Sequence, residues 1–112
     1  MTVSLSDFID GVSPGIRSAV EFLWNKGWQT VDSGDGSNFA AGMEGAIPYD
    51  HVAIRIDPQH IISETQRLVR ELEEAGAPNV MVEATFFPRE NIVILLISDP
   101  ESTEQLRQLH TN

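Results

Sequence analysis

The sequence predicts an α+β fold: a small mixed four-stranded sheet with helices packed on it, in the order α-β-β-α-β-β-α. Three observations predict it. Two stretches carry apolar residues at helical spacing, each opening on an acid-or-serine/proline pair and closing on glycine. Four short runs carry strand patterning, two of them with clear alternation. At 112 residues the chain is one domain, 1–112, large enough to bury about two-thirds of its unfolded surface.

The elements follow in order. Leu5, Phe8, Ile9 and Val12 share one helical face, which predicts a short helical turn or packed arm at 1–12. Ser13-Pro14 then starts a helix over 14–26. Serine can cap, and proline at the first helical position gives up no needed hydrogen bond. Ile16, Ala19, Val20 and Leu23 make its stripe, widened by Phe22 and Trp24, and Gly27 suits the left-handed position after it. A short strand at 28–31 leads into a long, acidic, glycine-rich loop at about 32–50. His51, Val52, Ala53, Ile54, Arg55, Ile56 and Asp57 alternate as a half-buried strand with Arg55 on the open face.

Asp57-Pro58 starts the second helix. Ile61, Thr65, Leu68, Leu72 and Ala75 form its buried face, with Ile62 and Val69 alongside. Arg67 with Glu71 and Arg70 with Glu74 are spaced for ion pairs one turn apart. Gly76 and Pro78 stop the helix. Strands at 80–87 and 92–98 flank the turn at 88–91, which predicts a hairpin. The connection from 51–57 to 80–87 has the form of a right-handed parallel crossover. The strand at 92–98 is apolar on both faces, as a central strand is. If helices cover only one face of the sheet, its other face needs a partner, which predicts a homodimer or higher homo-oligomer. Asp99-Pro100 starts a short C-terminal helix with Leu106 and Leu109.

Composition removes several function classes. Seventeen acids against seven bases leave a net charge of −10, which repels nucleic-acid phosphates and anionic membranes. No nucleic-acid or membrane partner is expected. The chain has no cysteine, so disulfides, thiolate metal sites and cysteine nucleophiles are excluded. The first residues carry neither the basic region nor the apolar core of a signal peptide, and a cytoplasmic location is expected.

The loop is where chemistry is expected. Connections in compact domains usually take about 4–6 residues, and much longer ones tend to be functional or disordered. Asp32, Ser33, Gly34, Asp35 and Gly36 read as a glycine-rich turn that could present backbone N–H groups to a polar ligand while the acids accept from sugar hydroxyls. The same residue types also make an ordinary tight turn. No phosphate-binding or dinucleotide motif is present, and no cofactor is predicted. Asp32, Asp35, Glu44, Asp50, His51 and His60 are the oxygen and imidazole groups available for magnesium or manganese, at spacings that match no calcium loop. His51 is a candidate acid or base, or a histidine that bonds a nearby carbonyl. Arg55 and Arg89, with Tyr49 near by, suit a phosphate beside a stacked base.

The run L-W-N-K-G-W (23–28), T-V-D-S-G-D-G (30–36) and P-Y-D-H-V (48–52) resembles small uncharacterised phage-encoded proteins with a T-x-D-S-G-D-G motif; the helix around 64–72 and V-E-A-T (82–85) are similar too. No catalytic residues come with that resemblance. It implies a counter-defence role, with sequestration of a nucleotide-derived immune signal as the leading form. The site residues for that reading are Asp32, Ser33, Gly34, Asp35, Gly36, Tyr49, His51, Arg55 and Arg89. Two other classes stay open: a metal-dependent phosphoesterase using Asp32, Asp35, Asp50 and His51, and an acidic inhibitor that docks on a basic protein.

Overall fold

A computed structural model describes residues 14–35, 42, 44, 47, 49–99 and 104–109. Among the described residues the helices are α1 (Arg17–Asn25), entered through a 3-10 turn at Pro14–Ile16, and α2 (Ile61–Glu74), entered through a 3-10 turn at Pro58–His60. The strands are β1 (Gln29–Asp35), β2 (Asp50–Ile56), β3 (Met81–Phe87) and β4 (Ile92–Ser98). They form one sheet in the order β1-β2-β4-β3. The predicted turn at 1–12 and the Ser13 cap lie outside the described residues.

Both helices end as their sequences predict. Gly27 and Gly76 each take φ of +89°, where a side chain would be strained. Trp28 N–H then donates back to Leu23 O and Ala77 N–H to Leu72 O, which satisfies the orphan carbonyls of each last turn. At the entrance of α2, Asp57 Oδ1 accepts from Gln59 N–H at 2.9 Å.

The two described helices pack on one face of the sheet. Val52, Ile54, Ile56, Val93, Leu95 and Ile97 turn inward and pack with Ile16, Ala19, Val20 and Leu23 of the first helical segment and Leu68 and Leu72 of α2. β4 is central, between β2 and β3. That insertion changes the sheet. β2 and β3 run parallel across α2, but β4 separates them, so the expected mixed sheet is antiparallel at every neighbouring pair. Ile92, Ile94 and Leu96, on the far face of β4, are only half-buried.

Three expectations are corrected. Ile62, Val69 and Ala75 are exposed, because α2 lies on the sheet through the narrower stripe of Leu68 and Leu72. Arg67 pairs with Glu64 at 3.0 Å rather than Glu71, whose carboxylate accepts instead from Trp28 Nε1–H at 2.6 Å. The C-terminal segment is not a regular helix among the described residues: 105–108 form turns, with Leu106 and Leu109 fully buried.

Arg107 fastens that segment. Its Nε donates to Asp50 Oδ2 at 2.7 Å and its second nitrogen to Oδ1 at 3.0 Å, while Ser18 Oγ donates to Arg107 O. Asp50 is buried, so losing its partner leaves a desolvated carboxylate. Arg107→Ala is expected to lower stability by about 1–3 kcal/mol in urea unfolding. Arg107→Lys should recover only part, because an ammonium cannot make the two parallel bonds.

Candidate functional site

Asp32, Ser33, Gly34 and Asp35 are not a turn; they continue β1, paired with Ala53, Val52, His51 and Asp50 in that order. A bulge between Thr30 and Asp32 resets the register and lets the strand run on. Over 32–35 the backbone is extended along the sheet edge, with alternate N–H groups in the β2 ladder and the others pointing the opposite way, so successive N–H groups do not converge on one anion. The connection shrinks to 36–49, and Gly36 lies outside the described residues.

His51 and Gly34 fit together closely. The imidazole lies over Gly34, where an added Cβ would come within 2.5 Å of His51 Cε1. Nδ1 sits 3.1 Å from Tyr49 O. A carbonyl can only accept, so this bond puts the proton on Nδ1. Nε2 is 4.0 Å from Asp32 Oδ2, whose own side chain is largely exposed. A ring only 7% exposed and tethered by a neighbouring carbonyl has little access to a substrate.

The metal set does not assemble among the described residues. Asp50 is held by Arg107, and among the described residues no group of three or more acids or histidines could hold a metal ion. His60 sits at the entrance of α2, near the opposite strand end from His51.

The eight described residues of the nine predicted for the site therefore divide. Asp32, Ser33, Gly34, Asp35, Tyr49 and His51 are near the end of the sheet where β2 begins. Arg55 is four positions along β2 from His51, about 13 Å at strand rise. It pairs with Gln29 at the start of β1 and with Ile94 near the start of β4. Arg89, in the 88–91 turn, belongs to this second end too.

At that second end there is a cleft. One lobe of about 310 Å³ is lined by Gly27, Trp28, Gln29, Arg55, Ile56, Asp57, His60, Glu64 and Arg67. A neighbouring lobe of about 210 Å³ shares Gln29, Arg55, Ile56 and Asp57 and adds Asn91 and Ile92. Arg55 borders both. It is exposed on the open face and forms no ion pair among the described residues, in a chain with seventeen acids. Arg67 is fixed beside it by two contacts. Its guanidinium carbon lies 3.9 Å from the centre of the Trp28 ring, and it bonds Glu64. Stacking on an aromatic face keeps a guanidinium planar and oriented.

Sequence reasoning named Arg55 and weighed His60 only as a metal ligand. It missed Gln29, Asp57, Asn91 and Arg67 as neighbours. The signal available was Arg55-Ile56-Asp57-Pro58, a strand leaving the sheet straight into a helix start; nothing local joins Trp28 to Arg67.

No family model matches the chain, and neither a curated protein nor a solved structure is significantly similar to it.

Proposed function

We propose that the protein is a non-enzymatic binder of a small anionic molecule, held in the cleft where β1 starts and β2 ends. The observation that carries this reading is Arg55: an exposed guanidinium without an ion-pair partner among the described residues, bordering both lobes. An arginine that forms no ion pair among the described residues, in a chain of net charge −10 and with Asp57 and Glu64 in the same lining, favours an anionic ligand there. The larger lobe is at the lower end of the size range of small-molecule sites.

A nucleotide is the ligand class that uses most of the lining. Arg55, with Arg67 and His60, would meet a phosphate. Asp57 and Glu64 would accept from ribose hydroxyls, and the amides of Gln29 and Asn91 would read a base edge. Asp32, three positions along β1 from Gln29 (about 10 Å), and Asp35, six positions along it (about 20 Å), do not line the cleft and drop out of that role. The finer reading follows the resemblance of 23–52 to small phage-encoded proteins: a nucleotide-derived immune signal is held intact rather than turned over.

Thermal unfolding against a nucleotide panel tests it. A ligand at about 100 times its Kd should add about 2.7 kcal/mol, a shift on the order of 10 °C, and should be recovered unchanged from the denatured complex. No shift with any nucleotide, or recovery of a cleaved product, would overturn the reading.

A further inference from the structure

The two edges of the sheet are built differently. β1 carries the bulge at Val31 and the exposed carboxylate of Asp32, both devices that discourage another strand from adding there. β3 carries neither. Its seven residues pair with β4 without a break, hold one charge and no proline, and leave the outer edge unpaired among the described residues. Met81, Phe86 and Phe87, all on β3, are among the exposed large apolar side chains.

We propose that β3 is the edge through which two copies of this chain pair. The strands would run antiparallel across a twofold axis at Ala84, joining two four-stranded sheets into one. The register follows from the side chains. With Ala84 opposite its own copy, Met81 meets Phe87, Val82 meets Phe86, and Glu83 meets Thr85. Each apolar group gains an apolar partner, and no charge faces a like charge. A shift that centres the axis on Glu83 puts two carboxylates opposite each other. A shift to Thr85 sets Glu83 against Phe87 and brings Pro88 into the ladder opposite Val82. A single-residue slip would set each copy's inward side chains against the other's outward ones.

α2 supplies the second half of the surface. Its Glu64, Arg67 and Glu71 lie on the flank that meets Trp28, just before β1. Ile62 and Val69 lie half a turn round, on the flank turned away from β1, and are 72% and 36% exposed. Edge pairing would bring these flanks of the two copies together over the joined sheet. Apolar surface flanks the β3 edge on both faces, Ile62, Val69 and Phe86 on the helix side and Met81 and Phe87 on the far side, together on the order of 400 Å² per copy. Backbone pairing carries the total towards the about 800 Å² per partner of a standard interface.

The chain has no cysteine, so a crosslink can be placed cleanly. Under mild oxidation A84C should form a disulfide-linked dimer, while V31C, on the opposite sheet edge, should not. A84K puts two ammonium groups face to face at the axis. Ala84 is exposed, so lysine has room in the single chain. A84K should raise the dimer dissociation constant about 100-fold or more, with an unchanged circular dichroism spectrum. Mixing A84K with A84E should restore the dimer. A wild-type chain that stays monomeric at micromolar concentration, an A84K chain that stays dimeric, or V31C linking as fast as A84C overturns the proposal.

Discussion

Arg55→Glu is expected to reduce ligand affinity at least about 100-fold while leaving the fold intact. The size of the effect comes from replacing a charge-assisted bond with a like-charge contact at the centre of the cleft, a change of several kcal/mol. The fold should tolerate it because Arg55 is exposed on the open face and makes no ion pair among the described residues. Calorimetric titration of the nucleotide selected by thermal shift reads the affinity, and circular dichroism reads the fold. Arg67→Ala is the informative contrast. It should weaken binding and also lower the unfolding temperature, because Arg67 stacks on Trp28 and pairs with Glu64. Arg55→Lys should keep part of the affinity by keeping the charge, without the planar fork.

Gly34→Ala is the larger test of the fold. By backbone propensity alone, alanine in a strand should stabilise by about 0.5–1 kcal/mol. The His51 ring reverses that sign. A Cβ at 2.5 Å from Cε1 cannot be accommodated unless the ring moves, and the ring is buried and tethered to Tyr49 O. Gly34→Ala should therefore cost about 2–3 kcal/mol, on the order of 10 °C in Tm. Adding His51→Ala should cancel most of that cost, giving a coupling energy of at least about 1 kcal/mol in a double-mutant cycle. Additive effects would show that the ring does not lie over Gly34.

Much of the fold was legible in the sequence because its signals are local. Pro14 and Asp57-Pro58 mark the helix starts, Gly27 and Gly76 the ends, and the doubly apolar 92–98 run marks the central strand. The failures share one cause. D-S-G-D has the composition of a turn, yet pairing with β2 holds it in a strand. That pairing depends on a bulge at Val31 and on a glycine needed for the His51 ring, neither of which leaves a periodic trace. In α2, Ile62 and Val69 fit the periodic stripe yet are exposed, because periodicity does not say which apolar positions meet another element.

The candidate site was legible only in part, for the same reason. Arg55 stood out because basic residues are scarce. Its company was assigned from nearness in sequence, which favoured His51 and the acids of 32–36. In the fold, four strand positions separate Arg55 from His51, while Arg67 arrives from α2 by stacking on Trp28. The Asp50–Arg107 pair shows the same limit: it closes the C-terminal segment onto β2 and removes Asp50 from any metal site.

The most direct measurement of the central claim is amide chemical-shift mapping on the isotopically labelled protein, titrated with the nucleotide that gives the largest thermal shift. The account predicts that the perturbed amides cluster at Gln29, Arg55, Ile56, Asp57, Arg67 and Asn91, with little change at Asp32, Ser33, Gly34 and His51. Perturbations centred on those last four, or spread evenly over the chain, would contradict the cleft as the binding site.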